Sequence, residues 1–205
     1  MRTNSARPEL VWVYLDGEKA ARVTATDVVE LGLQRGLELG QEQEEEVMRR
    51  AEIVEVREAA LRLLARRSRS RTELWRRLKT RKFSKSTIEV VLDELEGLGY
   101  VDDREHARAW AQQALKSGRA GPAAIRAKLR QQGIASEIVR EAVDEALEGT
   151  DEEEIALRLG EKRLRSLEGL DIRTRQRRLY SYLARRGFSH EVIRNVVTSL
   201  IPADE

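Results

Sequence analysis

The spacing of apolar residues recurs three times along the chain, with a period of about 50 residues. In each copy, seven apolar positions follow the i, i+3, i+4 and i+7 spacing of helices that bury one face. The matching sets are Leu74, Leu78, Phe83, Ile88, Val91, Leu92 and Leu95; Ile125, Leu129, Ile134, Val139, Ala142, Val143 and Ala146; and Leu179, Leu183, Phe188, Ile193, Val196, Val197 and Leu200. Each copy therefore predicts two amphipathic helices joined by a turn, and a further helix is expected before each pair.

Turn and cap residues recur at the same point of each copy. Gly133 and Gly187 stand where a helix commonly ends in the left-handed conformation, and Lys82 takes that position in the first copy. Ser84 and Ser189 then stand at the N-cap of the next helix. Together with the apolar pattern, these signals predict three tandem three-helix repeats, because such a unit buries little surface alone and stacks on its neighbours.

The first 41 residues have a different pattern. Apolar residues alternate over 11–15 and Asp16-Gly17 offers a tight turn, which predicts a small β-hairpin. A short helix near 26–33 follows. From Glu42 a helical pattern begins with several acidic residues, which suit the N-terminal end of a helix, and it is expected to continue into the first repeat.

The predicted fold is mainly all-α, an elongated and curved array of three tandem three-helix repeats that follows a small N-terminal β-hairpin and helix region. Because the repeats already supply internal packing, a monomer is expected. The predicted segments are 1–41 for the hairpin and short helix, 42–56 for a linker helix continuous with the first repeat, 57–101 and 102–149 for the first two repeats, and 150–205 for the third repeat and the C-terminal tail.

Composition removes several classes of protein. The 205 residues contain no cysteine, which excludes a disulfide framework and a thiolate nucleophile and is compatible with a reducing compartment. The longest apolar run, Leu10–Leu15, is far shorter than the roughly 20 residues of a membrane span. No apolar segment of a secretory signal follows the N-terminus. We therefore expect no membrane association.

Charge is balanced overall but not locally. The chain has 38 Lys+Arg and 36 Asp+Glu, yet eleven basic residues and one acidic residue fall between Arg62 and Lys85, and six arginines with no acidic residue fall between Arg173 and Arg186. Like charges without acidic partners at i±4 repel one another, which favours an anionic partner over a merely solvated face. The candidate contact residues chosen from this clustering are Arg66, Arg67, Arg76, Arg77, Lys79, Arg81, Lys82, Lys128, Arg130, Arg178, Arg185 and Arg186.

Residues that would carry catalysis are not apparent in the sequence. His106 and His190 stand in different repeats, and neither has a second histidine or a cysteine at metal-ligand spacing. No glycine-rich loop with a following Lys-Ser or Lys-Thr is present to cradle phosphates. The acidic clusters at 42–46 and 151–154 open helices and are interpreted as caps. The sequence therefore predicts no catalytic residue, no metal and no cofactor, and a protein that is not an enzyme.

Five segments of the repeats carry a pattern specific enough to indicate a family: Ala60–Ala65, Ser70–Leu74, Leu98–Asp103, Leu129–Ile134 and Leu183–Phe188. In these segments the chain resembles the RecX family of recombination regulators. The resemblance covers about 57–200 and is most specific in the first repeat and at the Gly-Tyr-Val-Asp-Asp junction that follows it. The lysine at position 82 and the uneven third repeat depart from the pattern, which bears on local turn geometry.

The resemblance implies a cytoplasmic bacterial regulator of the RecA recombinase, with a part in DNA repair, homologous recombination and the SOS response. Members of the family resemble curved helical arrays that lie in the groove of the RecA–DNA filament and inhibit its ATP hydrolysis, strand exchange and co-protease activity. They also bind single- and double-stranded DNA weakly and without sequence preference. The expected role of the twelve candidate residues is to pair with acidic RecA residues or DNA phosphates.

A second interpretation is a sequence-specific DNA-binding regulator, since three-helix units also build helix-turn-helix domains. That function requires one helix that presents base-reading side chains to the major groove, and a strong preference for one duplex sequence would indicate it. An enzyme acting on nucleic acid is a more distant third, which a turnover assay with and without Mg²⁺ would detect.

Overall fold

The structure, a computed structural model, describes residues 2–4, 7–118 and 120–202. The chain divides into two compact units, Met1–Val101 and Asp102–Glu205. The elements of the first unit are β1 (Arg2–Asn4), β2 (Arg7–Leu15), β3 (Glu18–Thr24), α1 (Ala25–Glu30), α2 (Gln41–Leu64), α3 (Arg71–Lys79) and α4 (Lys85–Gly97). Those of the second are α5 (Asp103–Lys116), α6 (Pro122–Gln131), α7 (Ser136–Leu147), α8 (Glu152–Leu164), a 3₁₀ turn (Arg165–Leu167), α9 (Ile172–Arg186) and α10 (His190–Leu200).

The N-terminal region is a small antiparallel sheet packed on α2. β2 and β3 form the predicted hairpin, and β1 adds a third strand beside β2 that the sequence did not predict. Val13 and Val23 of the hairpin share a core with Val47 and Ala51 of α2. An isolated hairpin is marginal in water, so the packing against α2 supplies the burial that stabilises it.

The first three-helix repeat begins inside a long helix. α2 runs unbroken for 24 residues, so the acidic segment at its start and the first helix of the repeat are one element. In this repeat and in the two that follow, the first helix packs against the third. The seven apolar positions predicted for the first copy all lie in its core, where Phe83 is half-buried and the others are buried.

A carboxylate from α2 caps the N-terminus of α4. Glu52 accepts hydrogen bonds from the Ser84 N–H at 2.7 Å, the Ser84 hydroxyl at 2.8 Å and the Thr87 hydroxyl at 2.5 Å. Burial raises the pKa of Glu52, but the hydrogen bonds from Thr87 and Ser84 outweigh burial and leave that pKa below its ordinary value. The third repeat has a counterpart of one of these contacts, because Glu152 accepts from the N–H of the cap residue Ser189 at 3.3 Å.

We expect Glu52→Gln to lower the free energy of unfolding by about 1–2 kcal/mol at pH 7, because a neutral amide replaces a charged acceptor of three hydrogen bonds. The folded-state pKa of Glu52 is depressed, so its contribution is complete above the ordinary glutamate pKa and is lost as the pH falls through the folded value. Urea denaturation at pH 7 and pH 3 measures the difference. The exposed Glu55→Gln is the matched control, and an equal loss for Glu52→Gln at both pH values would contradict the assignment.

The turn between α3 and α4 is made without glycine. Lys82 adopts φ of +66°, the left-handed conformation that Gly133 and Gly187 adopt at +82° and +86° in the other two repeats. The first repeat therefore has the same left-handed turn as the other two repeats. A lysine is strained in this conformation, because its Cβ atom crowds the backbone.

Replacing Lys82 with glycine is expected to raise the free energy of unfolding by about 0.5–1 kcal/mol, because glycine adopts positive φ without the steric cost of a Cβ atom. Arg77→Gly, in the last turn of α3, is the control and should cost up to about 1 kcal/mol. Thermal unfolding of both variants tests this, and a destabilised Lys82→Gly variant would show that the lysine side chain stabilises the turn.

The second and third repeats share one continuous core. All seven apolar positions predicted for the second copy are buried, and in the third copy only Val197 and Leu200 are half-buried. The helices begin where the sequence predicts: Asp102 and Asp171 cap α5 and α9 with their carboxylates, and Pro122 is the first residue of α6. The core therefore follows directly from the period of the apolar pattern.

The end of α9 meets the start of α6 at two glycines. The Gly121 N–H donates to the Arg186 carbonyl at 2.7 Å, and the Ala123 N–H donates to the Gly187 carbonyl at 3.1 Å. A Cβ atom on Gly187 would lie 2.3 Å from the Ala124 nitrogen, and one on Gly121 would lie 2.7 Å from the Gly187 oxygen. Backbone N–H groups at the start of α6 thus pair with free carbonyl groups at the end of α9. The two backbones approach so closely that only glycine fits at positions 121 and 187.

The structure confirms a mainly α-helical chain with three three-helix repeats and an N-terminal hairpin. In the part of the chain that the structure describes, every helix is too short or too polar to cross a membrane.

Candidate functional site

The second helix of each repeat is the basic one. α3 carries four basic residues and one acidic residue, α6 three and none, and α9 six and none. The third helices have the opposite balance in the first two repeats, since α4 and α7 each carry four acidic residues and one basic residue. The small net charge therefore hides positive second helices beside negative third helices.

Part of the positive charge after α2 is neutralised by one carboxylate. Arg67 pairs with Glu73, and Arg69 donates to the same carboxylate at 2.7 Å. Burial raises the pKa of Glu73, but hydrogen bonds and charge from Arg67 and Arg69 outweigh it and bring the pKa below its ordinary value. Of the predicted contact residues, Arg67 is therefore already engaged within the molecule, whereas Arg66 is exposed in the same turn.

A second group of basic residues ties the second helix to the third. Arg71 of α3 pairs with Glu89 and Asp93 at 2.7 Å and with Glu96 at 2.9 Å, all on α4. In the next repeat, Arg126 of α6 pairs with the α7 residue Asp144 at 2.9 Å. The expectation that the basic run from Arg62 to Lys85 lacks acidic partners is therefore wrong for part of it. The partners of Arg71 lie 18 or more residues away in the sequence, where i±4 spacing does not find them. Arg62 and Arg69, in contrast, pair at i±4 spacing, with Glu58 at 3.4 Å and with Glu73.

The other predicted contact residues remain at the surface. Within the described chain, Arg77, Arg81 and Lys82 have no ion pair, nor do Arg130, Arg178 and Arg185, and Lys128 donates only to the Gln131 side chain, at 3.0 Å. We call the predicted residues on the second helices and the turn after α3 the second-helix cations. They are Arg76, Arg77, Lys79, Arg81 and Lys82 in the first repeat, Lys128 and Arg130 in the second, and Arg178, Arg185 and Arg186 in the third.

In the second unit, the basic helices α6 and α9 meet at their ends. The glycine junction joins the C-terminal end of α9, with Arg185 and Arg186, to the N-terminal end of α6. Lys128 and Arg130 lie in the last turn of α6, about 10 Å further along that helix axis at 1.5 Å per residue. The C-terminal end of one basic helix thus contacts the N-terminal end of another.

Two arginines of the third repeat, Arg163 and Arg177, were missed by the sequence analysis. Arg178 and Arg185 line an open cleft of about 330 Å³ together with Arg163, Arg177 and Ser181. Arg177 belongs to the basic run of α9 and could have been included on charge alone. Arg163 lies on α8, and no sequence signal indicated that it faces α9.

The Tyr182 ring contacts two arginines of the third repeat, one of which lines the cleft. The guanidinium groups of Arg163 and Arg186 lie 5.4 Å and 5.1 Å from the centre of the Tyr182 ring. This is the distance range of cation–π attraction, which orients a guanidinium without neutralising its charge.

Each of the two histidines lies beside a polar side chain of the fold. His106 is buried and its Nε2 lies 3.3 Å from the Gln132 Oε1 atom. His190 is exposed at the start of α10, and its Nδ1 lies 2.6 Å from the Tyr180 hydroxyl. Over the described residues, no group of three or more His, Asp or Glu side chains is arranged to bind a metal ion.

Three family models match consecutive parts of the chain. The first three-helix domain of RecX matches residues 57–95, the second matches 102–143 and the third matches 151–197. Among characterised sequences, "Regulatory protein RecX" of Syntrophotalea carbinolica is 39% identical over 137 residues, which are 66% of this chain and 89% of the relative. The protein of the same name from Thermobifida fusca is 36% identical over 148 residues, which are 72% of this chain and 80% of the relative.

The fold has a solved counterpart. A crystal structure of regulatory protein RecX superimposes with a TM-score of 0.76 at 24% sequence identity, over 95% of both chains. At this identity the likeness concerns the fold, whereas the family models and the relatives concern the sequence. On the sequence matches, the chain belongs to the RecX family of regulatory proteins.

Proposed function

We propose that this chain binds the RecA–DNA filament and inhibits its ATP hydrolysis, strand exchange and co-protease activity. It would thereby act as a negative regulator of homologous recombination and of the SOS response in the cytoplasm. The observation that carries the proposal is the concentration of exposed cations on the second helices, in a chain of the RecX family.

The chemistry of these residues suits a filament made of protein and DNA. Arginine forms bidentate hydrogen bonds with both carboxylates and phosphates, so the same side chains serve acidic RecA residues and the DNA backbone. Contacts to phosphate carry no base information, which fits weak DNA binding without sequence preference. Each phosphate contact releases counterions, so binding should weaken steeply as salt rises.

Inhibition of this kind needs neither a cofactor nor turnover. A monomer that occupies the filament holds RecA protomers in place, or blocks their motion, only while it stays bound. The effect should therefore follow the amount of chain bound to the filament, and it should not accumulate with time as an enzymatic product would.

The distribution of charge in the first two repeats weighs against a sequence-specific DNA regulator. In a helix-turn-helix unit the last helix enters the major groove, between two rows of phosphates. Here α4 and α7 are the acidic helices of their repeats. Both would be repelled by the DNA backbone in that position, whereas contacts through the second helices touch phosphate without reading bases.

ATP hydrolysis by RecA filaments preassembled on saturating single-stranded DNA tests the proposal, with this chain titrated at 50 mM and 200 mM salt. We expect inhibition at chain concentrations below those needed to coat the DNA, and weaker inhibition at the higher salt. Unchanged hydrolysis alongside tight binding to one duplex sequence would contradict the proposal and favour the DNA regulator.

A further inference from the structure

The cleft between α8 and α9 gathers positive charge that its lining residues do not neutralise, and the Asp171 carboxylate outside the lining acts on Arg177 without forming an ion pair. Arg163, Arg177, Arg178 and Arg185 line it, and Ser181 is the remaining lining residue, so no carboxylate faces the cleft. None of the four arginines has an ion pair within the described residues. Four like charges around a space of about 330 Å³ repel one another, and the unliganded protein bears that cost.

Arg163 carries a further cost in the free protein. Its Nε atom is shut off from water and has no hydrogen-bond acceptor within the part of the chain described. A buried donor without an acceptor opposes folding, because the hydrogen bond it loses to water is not replaced. An arginine kept in such a position, and oriented by the Tyr182 ring, fits a role in binding better than a role in stability.

We propose that the α8–α9 cleft is a binding site for a terminal phosphate group, the doubly charged phosphate of a monoester or of a polyphosphate chain. A terminal phosphate presents three free oxygens and nearly two negative charges, whereas a phosphate inside a DNA strand presents two free oxygens and one charge. Four arginines and a serine line the cleft, so a group with more oxygens and more charge can use more of their donors. The site would take this group from the 5′ end of a DNA strand or from a free polyphosphate.

This inference goes beyond the proposed function and does not depend on it. The cleft shares Arg178 and Arg185 with the second-helix cations, but Arg163 and Arg177 lie outside that set. The two proposals can therefore fail separately, because the cleft is tested with the full chain and small probes in the absence of RecA.

The probes are a six-nucleotide DNA with a 5′-phosphate, the same DNA with a 5′-hydroxyl, and inorganic tripolyphosphate. Titration calorimetry of the wild type should show binding of the 5′-phosphorylated DNA about tenfold or more tightly than of the 5′-hydroxyl DNA, or binding of tripolyphosphate that raises the melting temperature. The first result identifies a DNA end as the source of the phosphate, and the second identifies a free polyphosphate. Equal binding of the two oligonucleotides with no binding of tripolyphosphate would overturn the proposal.

A matched pair of variants locates the effect. Arg163→Gln with Arg177→Gln removes two charges from the cleft and should lower the affinity for the terminal phosphate about tenfold or more. Arg165→Gln with Arg173→Gln removes two charges from exposed positions of the same repeat outside the cleft, and should leave the preference intact. An equal loss in both variants would mean that general positive charge, and not the cleft, attracts the probe. Inhibition of RecA filament ATP hydrolysis by the wild-type chain, measured in parallel, tests the proposed function alone.

Discussion

Replacement of Arg76, Arg77 and Arg81 together by glutamate is expected to abolish inhibition of RecA ATP hydrolysis without changing helix content. The three residues are exposed on α3 and the turn after it. The substitutions turn attraction to an anionic surface into repulsion, and like charges facing each other at an interface cost several kcal/mol. The concentration for half-inhibition should therefore rise by about a hundredfold or more, at 1.4 kcal/mol for each factor of ten.

The matched control reverses the same number of charges elsewhere. Arg158 and Lys162 of α8 and Arg194 of α10 are exposed and lie outside the second helices. Their replacement by glutamate changes the net charge equally and should leave at least half of the inhibition. If the α3 variant inhibits at the wild-type concentration, or if both variants lose inhibition alike, the second helices do not form the contact. Circular dichroism of both variants verifies that they are folded.

The largest loss of stability is expected for Gly187→Ala, with a decrease of about 3 kcal/mol or more in the free energy of unfolding. Two costs add: alanine is strained at φ of +86°, and its Cβ atom would lie 2.3 Å from the Ala124 nitrogen. The ends of α9 and α6 must separate, which breaks the hydrogen bonds from Gly121 and Ala123.

Gly169→Ala distinguishes the two costs. Gly169 has φ of +82°, but a Cβ atom there would have no heavy atom within 4 Å. That variant carries the backbone strain alone and should lose about 1–2 kcal/mol. Urea denaturation of the two variants measures both losses, and equal losses would show that the helix junction tolerates a side chain.

Local signals explain why most of the fold could be predicted from the sequence. The period of the apolar residues identifies the buried positions, and capping residues such as Asp171 and Ser84 act within one helical turn of their own position. The third strand could not be predicted in this way, because β1 has only three residues and its pairing depends on the rest of the sheet.

The candidate site was only partly accessible from sequence because charge clusters do not reveal their partners. Arg67 and Arg71 look alike in the basic run, yet carboxylates of Glu73 and of α4 engage them. The close approach of Gly121 to Gly187 and the convergence of Arg163 on α9 join residues that are far apart in sequence. Such contacts depend on the packing of whole helices.

A measurement of direct binding tests most closely whether the second-helix cations recognise the RecA–DNA filament. The fluorescently labelled chain is titrated with RecA filaments on single-stranded DNA and, separately, with the same DNA without RecA, at equal nucleotide concentration and 150 mM salt. We expect the filament to bind at least about tenfold more tightly than the bare DNA, since carboxylates and phosphates both contribute. Equal affinity for the two, or a preference for bare DNA, would contradict recognition of the filament by the second-helix cations.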